Sequence, residues 1–264
     1  VTDLDDLVAE WDLRPDGDPG HTCRATVLPV RSQDAAAVLK VGTDADNAHL
    51  VLRRWNGAGA VRLLRADPHR NAVLLERLRP ETLQTLSDVA ACDVVATLYR
   101  RLHVPAMPQL ASLPDLLEQW AAEFATLPRS APLPHRLVEQ AVTLCRDLAS
   151  EPADRVLHGN LHYGNVHAAD REPWLAISPT PRNGDPAYEL APMIWSRWDE
   201  LADNVRFGVQ RRFYALVDAT GFDEDRARSW VLVRVVREAA RLLSGGHDPA
   251  ALTRYVTLAK AVQD

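Results

Sequence analysis

The hydrophobic period of the chain changes once, and that change limits the folds open to it. Across residues 23–78 the apolar runs are short and rich in Val and Leu, as in ATVLPV, AAVLKV, AVRLL and AVLLERL, with turn clusters at PDGDPG, SQD, NGAG and PHRN. Short apolar runs bounded by Gly, Pro, Asn and Asp predict an antiparallel sheet, here with one inserted helix over DADNAHLVLRRW. From residue 82 onward, apolar residues recur three and four apart in LSDVAACDVVATLYRRLHV, LPDLLEQWAAEFATL, RLVEQAVTLCRDLA, RSWVLVRVVREAARLLSG and PAALTRYVTLAKAV. That spacing gives each segment the apolar stripe of a packed helix. Two short strands, VHAA and WLAIS, interrupt the series. The expected architecture is α+β and bilobal. It has a small antiparallel-sheet lobe over residues 1–79, a larger mainly helical lobe over residues 80–264, and a hinge at residues 76–80.

Composition weighs on several function classes without removing any. A chain of 264 residues with 47% hydrophobic and 25% charged residues can bury a sizeable core. Its formal charge of -6 argues against nucleic acid or an anionic membrane surface as the partner. There is no apolar run of about 18 residues or more and no secretory signal, so the expected compartment is the cytoplasm. Cys23, Cys92 and Cys145 are odd in number and widely spaced, which suits reduced core thiols better than a disulfide framework or a zinc site.

The chemistry is concentrated in residues 156–200, VLHGNLHYGNVHAADREPWLAISPTPRNGDPAYELAPMIWSRWDE. Phosphoryl transfer to a hydroxyl needs a carboxylate to accept the proton and oxygen ligands to hold magnesium against the phosphates. A loop H-G-D-x-x-x-x-N supplies the base and one ligand, and a strand ending Ile-Asp-Pro supplies another. Here the first Asp is Asn160 and the second is Ser178, while Asn165 keeps its place. Taken with WDLRPDG, VLPVRS, AVLKV, LRRWNGAGAVRLL, LLERL and GDPAYELAPMIWSRWDE in the same order and spacing, these motifs resemble the aminoglycoside phosphotransferases. The branch is that of the streptomycin 6-kinases and hydroxyurea phosphotransferases, and the resemblance covers residues 11–198. It implies a protein-kinase-like fold. Relatives carry a further helical segment upstream, so with Val1 at the start a missing native N-terminal segment is expected.

The resemblance also assigns positions. Lys40 stands where the phosphate-facing lysine of the third strand would be, and the chain's other lysine is Lys260. Its usual helix Glu falls at Ala48, with Asn47 and His49 beside it and Asp44 and Asp46 as possible substitutes a turn earlier. Glu76 and Leu78, in the hinge run LLERL, would offer backbone groups to a purine, and Gly17 and Gly20 could form either a phosphate-covering turn or an ordinary hairpin. His158 is expected to bond backbone around the loop, and His162 and His167 to stand at most behind the residues that touch a ligand. The spacing of these three histidines lacks the helical pairing of a zinc site. Asp185, before Pro186 and Glu189, reads as the N-terminal cap of the next helix.

An Asn at the base position can hold a hydroxyl but cannot take its proton, and Ser178 removes a full charge from the metal site. The expectation is therefore a pseudokinase with no catalytic residue, no metal and no cofactor beyond weak ATP or GTP binding without firm Mg²⁺ dependence. Its retained interlobe cleft would bind a precursor or leader peptide, a small molecule or a partner enzyme in specialised-metabolite biosynthesis. The alternative is a residual or atypical phosphotransferase acting on a hydroxylated small molecule or antibiotic, and drug sequestration without modification is a third reading.

Overall fold

Two elements stand ahead of the sheet expected from the sequence, α1 (Leu4–Glu10) and β1 (Leu13–Pro15). The computed structural model describes residues 4–22, 25–42, 47–201, 204–245 and 248–263, so Cys23, Asp44 and Asp46 lie outside the described residues. β2 (Gly20–His21), β3 (Ala25–Ser32), β4 (Ala35–Gly42), α2 (Ala48–Trp55), β5 (Leu63–Asp67) and β6 (Ala72–Glu76) follow. The sheet is antiparallel in the order β1-β3-β4-β6-β5, with β2 also beside β3. Ser32 pairs with Ala35, leaving Gln33 (φ 47°) and Asp34 (φ 65°) as a two-residue turn. Positive φ at both central residues matches the twist of the strands it joins.

Alternation along β4 sorts its two faces. Ala37 and Leu39 are fully buried with Leu7, Trp11, Leu28, Val30 and Leu74, each buried Leu contributing about 2 kcal/mol. Lys40, the next residue, therefore points to the opposite face, opposite Val27 on one side and Val73 on the other.

The larger unit holds α3 (Asp88–Leu102), α4 (Leu113–Ala125), α5 (His135–Leu148), β7 (Arg155–Leu157), β10 (Arg182–Gly184), α6 (Ala191–Trp195), α7 (Val205–Thr220), α8 (Glu224–Ser244) and α9 (Pro249–Gln263). α4 packs on α5, α8 on α9, and α7 on α3 and α9. Side-chain caps fix several starts, with Asn204 accepting from the Phe207 N–H at 3.1 Å and Asp223 from that of Arg226 at 2.8 Å. α7 ends at Gly221, whose φ of 71° is left-handed and whose N–H returns to the Val217 carbonyl at 2.8 Å. Cys92 and Cys145 are buried, and burial pushes both thiols up to about 12, so they remain protonated.

The chain divides as Val1–Leu83 with Gly164–Pro181, and Gln84–Tyr163 with Arg182–Asp264. This departs from the single boundary expected at residues 79–80. The hairpin of β8 (Val166–Ala168) and β9 (Trp174–Ala176) joins the first unit through backbone bonds. The Val61 N–H donates to the Ala176 carbonyl at 2.8 Å, the Ala176 N–H to Gly59 at 3.0 Å, and the Arg79 N–H to Ala168 at 2.9 Å. Arg171 of the same hairpin donates to the carbonyls of Gly57 and Ala60 and pairs with the Glu76 carboxylate.

β7 and β10 pair antiparallel, with Gly184 opposite Arg155. A Cβ at Gly184 would lie 2.2 Å from Leu113 Cδ1 and 3.0 Å from its Cβ, closer than any rotamer of Leu113 can relieve. Gly184→Ala is expected to cost about 1–3 kcal/mol, read as a lowered urea midpoint with an unchanged m-value. A midpoint equal to wild type would show that this approach is not tight.

Candidate active site

The HGN loop leaves β7 in the larger unit and is held from both ends. Gly159 sits at φ 80°, a left-handed conformation that a glycine adopts without strain. Glu189, fully buried in the 3₁₀ turn Pro186–Leu190, accepts the backbone N–H of His158 with one oxygen and that of Gly159 at 2.9 Å with the other. The Arg234 guanidinium, buried on α8, donates to the Gly159 carbonyl at 3.1 Å and to that of Tyr188 at 3.0 Å, stacked 4.0 Å over the Tyr188 ring. His158 is itself completely buried, and its Nδ1 accepts the Asn160 N–H at 3.3 Å. At the far end the Tyr163 hydroxyl donates to Asp88 at 2.8 Å, and Asp88 also takes Arg211 at 2.6 Å and Arg212 at 3.0 Å. Asn160 is thus carried on a segment held through its backbone at His158 and Gly159 and through the Tyr163 side chain at the far end.

Electrostatics reinforce the clamp. Burial alone would push the Glu189 carboxyl up. His103, whose Nε2 lies 3.5 Å away, together with His158 and its N–H, outweighs burial and holds the group below its ordinary value. Asp185 accepts the Ala187 N–H at 3.0 Å as the cap of the same turn, and takes Arg226 and the Trp230 indole N–H on its outer oxygen. Both acids serve the scaffold around the loop.

In the first unit, Lys40 Nζ donates to Ser178 Oγ at 3.1 Å. Ser178 follows β9 with φ 53°, a left-handed position where Asn and Asp are the better tolerated non-glycine residues. The Ile177 N–H just before it bonds the Asn165 carbonyl at 2.8 Å. Lys40 and Ser178 line a cavity of about 420 Å³ together with Asn47, Ala48, His49, Leu52, Asn71, Val73 and Leu75. The sequence-assigned Lys40, Ala48 and Ser178 are therefore brought together. Glu76 is at the end of β6, but its side chain is taken by Arg171 and by the Arg62 N–H at 2.7 Å, leaving backbone as its contribution to any ligand. Leu78 lies two residues beyond the end of β6. Gly17 and Gly20 are absent from the described lining of the cavity.

The family resemblance implies magnesium, and the donor set tests it. Mg²⁺ is held by one or two carboxylates plus phosphate oxygens. The cavity's described lining includes no carboxylate, and its hydroxyl Ser178 faces an ammonium. The described lining alone thus lacks the carboxylate that Mg²⁺ asks for, and Asp44 and Asp46 lie outside the described residues. Among the described residues no group of three or more His, Cys, Asp or Glu side chains could hold a metal ion. His167 Nδ1 instead lies 2.9 Å from the Arg79 carbonyl.

Residues 10–246 match the family described as aminoglycoside/hydroxyurea antibiotic resistance kinase. The chain belongs to that family. It is 40% identical to a streptomycin 6-kinase of Streptomyces glaucescens, over 98% of this chain and 88% of the relative. It is 38% identical to a hydroxyurea phosphotransferase of Kitasatospora aureofaciens, over 88% and 70%. Among solved structures, a thermostable mutant of aminoglycoside phosphotransferase APH(4)-Ia, in ternary complex with AMP-PNP and hygromycin B, superposes with TM-score 0.66 at 16% identity, covering 99% of each chain. A choline/ethanolamine kinase family protein from Mesorhizobium loti gives TM-score 0.67 at 15% identity over 98% of this chain and 94% of that one. At those identities the likeness establishes the kinase-like fold. Among the described residues no helix is long and apolar enough to cross a membrane.

Sequence reasoning did not assign roles to Arg171 and Arg234 and read Glu189 as a helix-start residue. All three act on backbone carbonyls or amides far away in the chain, and no local motif marks such a partner. The available signal for Glu189 was an acid within an apolar stretch, YELAPMIW.

Proposed function

We propose that this family member captures a purine nucleotide and a hydroxylated small molecule of the antibiotic type, and transfers phosphoryl between them slowly. The observation that carries the reading is the cavity of the first unit, which keeps Lys40 between the apolar walls Val73, Leu75 and Leu52. The 40% identity to a streptomycin 6-kinase supports the substrate class. Loss of the base at Asn160 costs about 10²- to 10⁴-fold, and loss of the metal carboxylate at Ser178 adds to it. Nucleotide binding is weak and without firm Mg²⁺ dependence. The Glu76 carbonyl and the Leu78 N–H are the backbone groups offered to the base, and the cytoplasm is the compartment that supplies the nucleotide.

A second reading is favoured by the paired exchanges Asn160 and Ser178. In it the chemistry is gone, and the fold serves specialised-metabolite biosynthesis by binding a precursor or leader peptide, a small molecule or a partner enzyme. Single-turnover assays with radiolabelled ATP or GTP, enzyme in excess and streptomycin or hydroxyurea as acceptor separate the two. The expected result is slow label transfer that Lys40→Ala abolishes. No transfer over hours, with acceptor binding intact by calorimetry, would leave the binding-module reading. Turnover at the rate of an active relative would contradict both.

A further inference from the structure

We infer that the outer face of α7, with the start of α3 beside it, is an interface at which two copies of this chain pair about a twofold axis. The large apolar side chains exposed among the described residues are Leu64, Val89, Phe207 and Tyr214, at 46%, 52%, 60% and 39%. Val89, Phe207 and Tyr214 stand on α3 and α7, which pack together. The inner face of α7 is already committed to the core, with Gly208, Val209, Arg212, Phe213, Leu216 and Val217 buried. Phe207, Arg211, Tyr214 and Asp218 follow one another at steps of four, three and four, so they form one stripe along the opposite face, and all are exposed. Asp88 takes Arg211 at 2.6 Å and so ties the start of α3, where Val89 lies, to the middle of this stripe. The Arg211 side chain still stands 49% exposed, with its guanidinium 6.0 Å from the centre of the Phe207 ring.

The order of the groups commits the face to a second copy. From its N-terminal end the stripe runs aromatic, cation, aromatic, anion. Two such helices laid antiparallel, with the axis level with residues 212 and 213, set Arg211 of each copy against Tyr214 of the other and Phe207 against Asp218. Each guanidinium then meets a phenol ring, and the opposing carboxylate lies about 6 Å further along, one turn, which an Arg side chain spans. Every such contact is made twice, once on each side of the axis, as an isologous interface requires. Parallel pairing would instead put Arg211 against Arg211 and Asp218 against Asp218, like charge on like. Aromatic side chains and Arg are also the groups enriched where proteins meet. One helix of 16 residues with Val89 beside it is a small face against the roughly 800 Å² per partner of a standard interface, so the pairing is expected to depend on concentration.

Sedimentation equilibrium on the whole chain, from roughly 1 to 200 μM, tests this without any ligand or activity. The wild type is expected to pass from monomer to dimer within that range. Phe207→Ser should weaken the dimer roughly tenfold or more, as the loss of an aromatic anchor does. Asp218→Arg, which sets a second cation against Arg211, should weaken it roughly threefold or more. Leu64→Ser, which removes the exposed apolar side chain of the first unit, should leave it unchanged. Circular dichroism melts confirm that each variant folds, and Asp218→Arg alone decides the matter should Phe207→Ser not fold. A wild type that stays monomeric at every concentration overturns the inference, whatever else this face can bind. A dimer that Asp218→Arg leaves at wild-type affinity, or that Leu64→Ser weakens more than Phe207→Ser does, overturns it as well.

Discussion

Glu189→Ala is expected to destabilise the protein by about 3–5 kcal/mol at pH 7, lowering the melting temperature by about 10 °C or more. The carboxylate is fully buried and accepts the N–H groups of both His158 and Gly159, so its removal leaves two buried donors without their acceptor beside His103. Acid should reproduce the loss gradually. The folded carboxyl sits below its ordinary value, so its contribution is complete above the unfolded value of about 4.3 and disappears as pH falls through the folded one. The stability gap between wild type and variant should therefore narrow below about pH 4. Urea unfolding of both proteins at neutral and acidic pH measures it. A gap under about 1 kcal/mol at pH 7 would mean that the loop is held by Arg234 and Asp88 without this acid.

The contrast between Glu189 and Lys40 shows what was legible in the chain. Lys40 could be placed because the resemblance assigns it to the third strand, and the structure then sorts that strand's faces: Leu39 goes inward and the next residue faces the other way. The helical half was equally readable, since stripes at three and four residues need no knowledge of their partners. The long-range role of Glu189 was not legible because it spans a gap of about thirty residues, and a buried acid in a proline-started turn has the same local signature as an ordinary first-turn acid. The place of the 166–176 hairpin was not legible for the same reason. Nothing within VHAADREPWLA tells that its strands bond to residues 59–61 and that Arg171 pairs with Glu76. Local period and turn chemistry fix elements, while long-range polar pairs fix which unit an element joins.

Rebuilding the phosphoryl-transfer apparatus should be strongly non-additive. Asn160→Asp alone restores a base without a metal, Ser178→Asp alone restores a metal carboxylate without a base, and each is expected to raise transfer to streptomycin by less than about tenfold. The pair should still fall well short of the triple variant that adds Ala48→Glu, because positions 48 and 178 share one cavity wall with Lys40 and act on the same phosphates. For the triple variant the expected gain is about 10²- to 10⁴-fold, with Mg²⁺ now required. Ser178→Asp should carry little folding penalty, since φ 53° is a conformation that Asp tolerates and the new carboxylate would meet the Lys40 ammonium. Single-turnover rates for the full set of single, double and triple variants decide the matter. Robust transfer from Asn160→Asp alone would mean that the missing base is the whole defect. Recovery appearing only when all three carboxylates return would instead mark the exchanges as one coordinated loss, in which each position depends on the others for its effect.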